Sequence, residues 1–284
     1  MGYYLSVLTF TSITVVAITS IYVITGLAGL FSLGQAAFMA VGAYTSGILI
    51  TRLSMPFLPA VVFGIAAGML AAFLVGIPTL KLRRDYIALV TFGFGEAIIA
   101  ILNNTANVTG GAMGLVGITP YTTTPVAVGI AVLAVVLARN FKYSRFGRQC
   151  IAVKNDEVAA ASMGVNVAGI KMMAFLFGSA LTALAGTLYA SYTTYVEPGL
   201  FVWTLSAEWI IIVFFGGVNS LTGAVVAAVL LGTLPEILRA TAEWRIAIYS
   251  VLVLLIINFR PSGIFGEYEL PLWRSIARRF RRAG

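Results

Sequence analysis

An all-α polytopic membrane protein is the architecture this sequence predicts, and three observations predict it. Of the 284 residues, 60% are hydrophobic and 10% charged, with a mean hydropathy of +0.99; soluble domains carry roughly a quarter charged residues. Apolar runs recur from one end of the chain to the other. The basic residues collect in the polar stretches on one side of those runs, as they do where membrane insertion sets orientation.

The runs fall near residues 3–24, 36–51, 57–78, 86–102, 124–138, 171–195, 205–217, 221–238 and 246–259, which predicts about nine membrane-crossing or re-entrant helices in one transmembrane domain spanning 1–284. The first run has no basic segment ahead of it and no small-residue cleavage site, so it reads as a retained span and not a signal peptide. Several runs are shorter than the roughly 20 residues a straight crossing needs, so broken helices are expected, and 205–217 is the run most open to a re-entrant course. Small residues recur every fourth position on three runs: Ala60, Gly64, Gly68, Ala72; Ala174, Gly178, Thr182, Gly186, Ala190; and Ala224, Ala228, Gly232. Lipid gives helices no hydrophobic reason to associate, so such stripes serve close backbone packing.

Placing the polar loop 139–171 in the cytosol puts 15 of the 18 Lys and Arg residues inside, with Arg52, Arg239 and Arg245 outside. The N-terminus is then outside, and the basic tail 260–284 is cytosolic, its Trp273–Arg282 stretch suited to anionic lipid headgroups. The net charge of +8 is accounted for in this way, which leaves nothing to argue for nucleic acid. With no histidine and the single cysteine Cys150, imidazole chemistry, a Cys/His metal site and an internal disulfide are excluded by counting. No GxxxxGK[ST] phosphate loop occurs, so any use of ATP belongs to another polypeptide and no cofactor is expected here.

Within the polar loop, Asn155 reads as a helix N-cap, Asp156 and Glu157 place negative charge on the first turn, and Gly164 supplies a left-handed residue after Met163. A helix of about two turns follows, too short to persist alone in water. Ala159, Ala160 and Met163 share one side by spacing, a face for a partner's groove or for the headgroup layer. Glu96 reads as the one carboxylate well inside an apolar span, near mid-membrane, where a charge costs roughly 2.5–3.5 kcal/mol and must face the bundle interior, water or a partner subunit. The stretch Ser32, Gly34, Gln35 and the pair Asn219 and Ser220 open apolar runs with small polar residues, either lining a cavity or capping helices at the surface.

The run Glu157, Ala159, Ala160, Gly164 resembles the Glu-Ala-Ala…Gly loop of ABC importer permeases, with Val158 as an extra residue in the spacing. The stretches GLFSLGQAAFMAVGAY (29–44), RRDYIALVTFGFGEAI (83–98), TGGAMGL (109–115), FGGVNSLTGA (215–224) and RPSGIFG (260–266) are similar, in this order, to the second-type permease of branched-chain amino acid ABC transporters. The resemblance covers nearly the whole chain. It implies a type II importer-like permease bundle in a bacterial or archaeal cytoplasmic membrane, paired with a second related permease, two cytosolic ATP-binding subunits and an extracytoplasmic solute-binding protein. It further implies that Glu157, Ala159, Ala160, Met163 and Gly164 form an ATPase-coupling helix, and that the uncharged outer loop 103–123 borders the binding protein. Where the family often has an arginine four residues after the glutamate, this chain has Ala100. The resemblance leaves the solute open among branched-chain and other amino acids, urea, amides and aromatic acids. A competing reading is a self-sufficient secondary transporter or channel that uses Glu96 as its ion or proton site.

Overall fold

In the computed structural model, residues 2–79 and 84–237 are described, together with 251, 254, 258–259, 263–266 and 268–269. The chain is a helical bundle. Helix α1 runs Gly2–Ile21 and continues as a π-helical segment, Tyr22–Leu27; α2 is Gln35–Leu53, α3 Phe57–Thr79 and α4 Arg84–Asn104. A short α5, Ala106–Thr109, and strand β1, Leu115–Val116, precede α6, Thr124–Tyr143. Two helices, α7 (Arg145–Asn155) and α8 (Glu157–Ser162), occupy the polar loop, and α9 spans Val167–Thr193. Strand β2, Tyr195–Val196, pairs antiparallel with β1, and the chain closes its described part with α10, Trp203–Gly216, and α11, Leu221–Ile237.

Among the described residues seven helical segments are long and apolar enough to cross a membrane, the last of them Pro198–Gly216, and Leu221–Thr233 is a shorter apolar helix. The expected count of nine is therefore not reproduced among the described residues; the predicted run 246–259 lies largely outside them, as does the basic tail.

The centre of the bundle is the packing of α2, α3 and α9, and the small-residue stripes create it. Ala60, Gly64, Gly68 and Ala72 are all buried, as are Ala174, Gly178, Thr182, Gly186 and Ala190. A Cβ at Gly186 would strike the Met39 carbonyl and one at Gly68 would strike the Ala183 side chain, so the backbones touch where hydrogen replaces a side chain. On the third stripe Ala224 and Ala228 are buried but Gly232 is exposed, so that stripe packs over two of its three positions.

The connection between α1 and α2 is a break inside the bundle. Residues 28–34 are non-helical, and Ser32 and Gln35 are fully buried. Their polar groups are met by the interiors of long helices: Leu33 N donates to Thr91 Oγ1 of α4 (3.2 Å), Ala36 N to Ser206 Oγ of α10 (2.8 Å), and Thr182 Oγ1 of α9 to Gln35 Oε1 (3.2 Å). Irregular backbone at such depth persists only where protein satisfies it, and here three helices do so.

Candidate functional site: coupling segment and polar breaks

The polar loop forms a two-helix projection. Ser144 caps α7 through Gly147 N (3.2 Å), and Gly147, Cys150 and Val153 bury one side of it while Arg145 and Arg148 stay exposed. Asn155 ends α7, so the cap of the next helix is Asp156 and not Asn155. The Asp156 carboxylate accepts from Val158 N (2.9 Å) and Ala159 N (3.0 Å). Helix α8 then lasts six residues and stops at Gly164, whose φ of +80° lies in the left-handed region. Gly164 N donates to Ala161 O (2.9 Å) and Val165 N to Ala160 O (3.1 Å), the paired bonds of a Schellman ending.

Two ties fix this small helix to the bundle. Ala160 is buried, and Glu157 pairs at 2.7 Å with Lys171 of α9, whose side chain is 4% exposed against 36% for Glu157. The expected common face of Ala159, Ala160 and Met163 is thus divided. Glu157 and Ala160, three positions apart, face inward because the ion pair holds that side down. Val158 and Met163 stand 80% and 84% exposed, and Ala159 is exposed beside them.

Asn219 and Ser220 sit at the foot of the bundle, next to this projection. Lys154 Nζ donates to Asn219 Oδ1 (2.6 Å) and to Gly26 O in the π-helical segment (2.7 Å). Lys142 Nζ donates to Asn219 O (3.0 Å) and pairs with Glu269, which also accepts from the Tyr143 hydroxyl. Burial works to raise the Glu269 carboxyl, but the hydrogen bonds from Lys142 and Tyr143 and the lysine charge outweigh it and hold the group below the usual carboxylate range. Ser220 caps α11 by accepting from Gly223 N (3.0 Å) and donates to Tyr268 O (2.7 Å). Ser32, Gly34 and Gln35 are placed elsewhere, in the α1–α2 break; Ser20, Thr91, Thr182 and Ser206 complete that polar cluster, with Ser20 and Thr182 hydroxyls 2.5 Å apart.

Glu96 lies on the exposed side of α4 and makes no hydrogen bond or ion pair with any described residue. Its immediate neighbours on that face are Gly93, Ala97 and Ala100, with Leu89 two turns away, whereas α3 presents Leu58, Phe63, Leu70, Phe73 and Leu74 outward. Large apolar side chains suit lipid; a carboxylate among small residues suits protein or water. Sequence reasoning missed a second such group. Glu208 lies near the middle of the Pro198–Gly216 span and is also exposed, and its helix meets α4 where the Phe92 and Trp203 rings pack edge to face at 5.8 Å. The signal was a single Glu inside SAEWIIIVFF, visible once that run is taken as a crossing.

At the far end of the bundle the β1–β2 pair anchors the loop 105–123. Leu115 pairs with Val196, Tyr44 donates its hydroxyl hydrogen to Val196 O (3.3 Å), and Arg52 Nη2 donates to Asn107 O (2.5 Å). Cys150, 0% exposed on α7, has its thiol pushed up to about 11 by burial.

The chain is 30% identical to the high-affinity branched-chain amino acid transport system permease protein LivM of Salmonella typhimurium, over 90% of this chain and 68% of that protein, and equally so to LivM of Escherichia coli. It is 28% identical to the LivH permease of Salmonella typhimurium over 45% of this chain and 42% of that protein. No solved structure matches. The profile described as branched-chain amino acid transport system / permease component matches residues 3–259, and this multi-pass membrane protein therefore belongs to that family of transport permeases.

Proposed function

We propose that this chain is a permease subunit of an ATP-driven ABC importer, forming half of a translocation pathway for branched-chain or related amino acids handed over by an extracytoplasmic binding protein. The observation that carries the reading is the α7–α8 projection. A six-residue helix capped at both ends, pinned by Glu157 and Ala160, and presenting Val158, Ala159 and Met163 outward is a rigid knob of the kind a partner's groove accepts. With this knob in the cytosol, the N-terminus lies outside, two cytosolic ATPases engage the permease pair, and the loop 103–123 faces the binding protein.

The exposed faces of α4 and α10 supply the second support. Two intramembrane carboxylates, Glu96 and Glu208, would be costly against lipid, so a second, related permease covers this side and the pathway runs between them. Similarity of one chain to both LivM and LivH accords with a pair of related permeases. The test is reconstitution in proteoliposomes. With sister permease, ATPases and binding protein, uptake of radiolabelled leucine should require ATP. Gradient-driven uptake by this chain alone would overturn the proposal and favour an ion-coupled carrier.

A further inference from the structure

Helix α8 touches the bundle through Glu157 and Ala160, yet the segment that leads into it also holds the bundle at a second place. Lys154, two residues before the Asp156 cap, reaches across the foot of α1. Its ammonium donates to Gly26 O (2.7 Å) and to Asn219 Oδ1 (2.6 Å). Both acceptors lie in irregular backbone. Gly26 belongs to the π-helical segment Tyr22–Leu27, and Asn219 to the turn between α10 and α11 that follows Gly217, where φ is +113°. The two segments meet directly, since a Cβ at Gly26 would come within 2.6 Å of Val218 O. Gly29, just beyond the π-helical segment, lies against the Lys154 methylenes. A cavity of about 280 Å³ beside the lysine, lined by Leu27, Ile151 and Asn155 among others, leaves space for the ammonium to change partners.

We infer that Lys154 is the residue that transmits displacement of the coupling helix to the pathway helices, by clamping the π-helical end of α1 and the α10–α11 turn to α7. This rests on the importer reading above. Segments of π-helix and glycine-rich turns are places where a helix end can shift without breaking a regular ladder. The clamp joins two of them to the element the ATPase moves. One runs on directly into the break at Ser32–Gln35; the other leads back through α10 to Glu208. Lys154 is a positioning residue: it need not touch the solute.

Lys154→Met keeps the stem and removes the charge, and Asn219→Leu removes one acceptor. In the isolated chain, amide exchange of residues 22–30 and 217–221 should accelerate together in Lys154→Met by about tenfold or more, the scale of losing charged hydrogen bonds. In the assembled transporter, both variants should hydrolyse ATP at the basal rate while solute moved per ATP falls by about tenfold, and Lys154→Arg should restore part of it. Exchange confined to residues 150–156, or transport per ATP unchanged in Lys154→Met, would overturn the inference; so would loss of assembly in both variants, which would make the lysine a structural prop. Failure of the importer reading is separate: it shows as absence of ATP-dependent uptake in the unmodified complex, while the exchange result stands by itself.

Discussion

The Glu157–Lys171 pair yields the sharpest quantitative prediction because its two partners differ so much in burial. Lys171 is 4% exposed at its side chain and Glu157 is 36% exposed. Glu157→Ala strands the ammonium. Stranding one member of a fully buried pair costs about 3–5 kcal/mol, and the water reaching Glu157 reduces that here to about 2–3 kcal/mol. Lys171→Met leaves a carboxylate that water already solvates and fills the vacated space with an apolar chain, so it should cost about 0–1 kcal/mol. The difference of about 2 kcal/mol corresponds to roughly a thirtyfold ratio in the opening equilibrium of α8. Amide hydrogen exchange at Ala160–Val165 measures that opening, and the double variant should behave like Lys171→Met because no ammonium remains to be stranded. Equal effects of the two single substitutions, or a larger effect for Lys171→Met, would refute the claim that Lys171 is the buried partner that cannot be left alone.

Three further outcomes follow from the same geometry. Since Gly164 sits at φ +80° with open space around its Cα, the penalty of substitution is backbone strain alone: Gly164→Val should lose about 1–2 kcal/mol or more and weaken solute-stimulated ATPase, while Gly164→Asn should lose less; equal behaviour of Val and Asn would contradict this. Glu96→Gln should preserve pairing with the sister permease, whereas Glu96→Lys should abolish it, as judged by co-purification; complete loss of uptake by the Gln variant with pairing intact would assign the charge to the pathway instead. Glu269 is held below its ordinary range when folded, so its contribution to stability is present above the unfolded value and is lost as pH falls through the lowered one. Protection of the Leu221 amide, which donates to Glu269 Oε1 at 3.4 Å, measured against its intrinsic exchange rate at each pH, should therefore fall only on strong acidification, and a loss of protection between pH 7 and 6 would be contrary to the account.

Much of this arrangement is legible in the sequence because membrane insertion and helix packing each leave periodic signals. Apolar runs marked α1 to α4, α6 and α9 to α11, and the four-residue stripes on α3 and α9 named the packing faces residue by residue. The ends were less legible. Helix α9 begins at Val167, four residues before the apolar run, because the Asn166 side chain accepts from Gly169 N (3.0 Å), and α6 runs on through the polar turn Arg139–Tyr143. Helix α7 was not anticipated, since its inward row of Gly147, Cys150 and Val153 is interleaved with Arg145, Arg148, Gln149 and Lys154 and so forms no apolar run. Helix α8 was legible from its glycine stop and its acidic start, but the cap moved by one residue to Asp156, because Asn155 is still bonded into α7. Which way Ala160 faces depends on the tertiary ion pair of Glu157 with Lys171, 14 positions further on, and no local spacing rule contains that contact.

The claim on which all this turns is that α8 projects into the cytosol and meets an ATPase there. A membrane-impermeant maleimide applied to Met163→Cys decides it, and the native thiol of Cys150 gives little background because it is buried and held protonated to about pH 11. The account predicts labelling in inverted membrane vesicles, none in intact cells, and protection when the ATPase subunits are bound. Labelling from outside intact cells, or unchanged labelling with the ATPases in place, would contradict it.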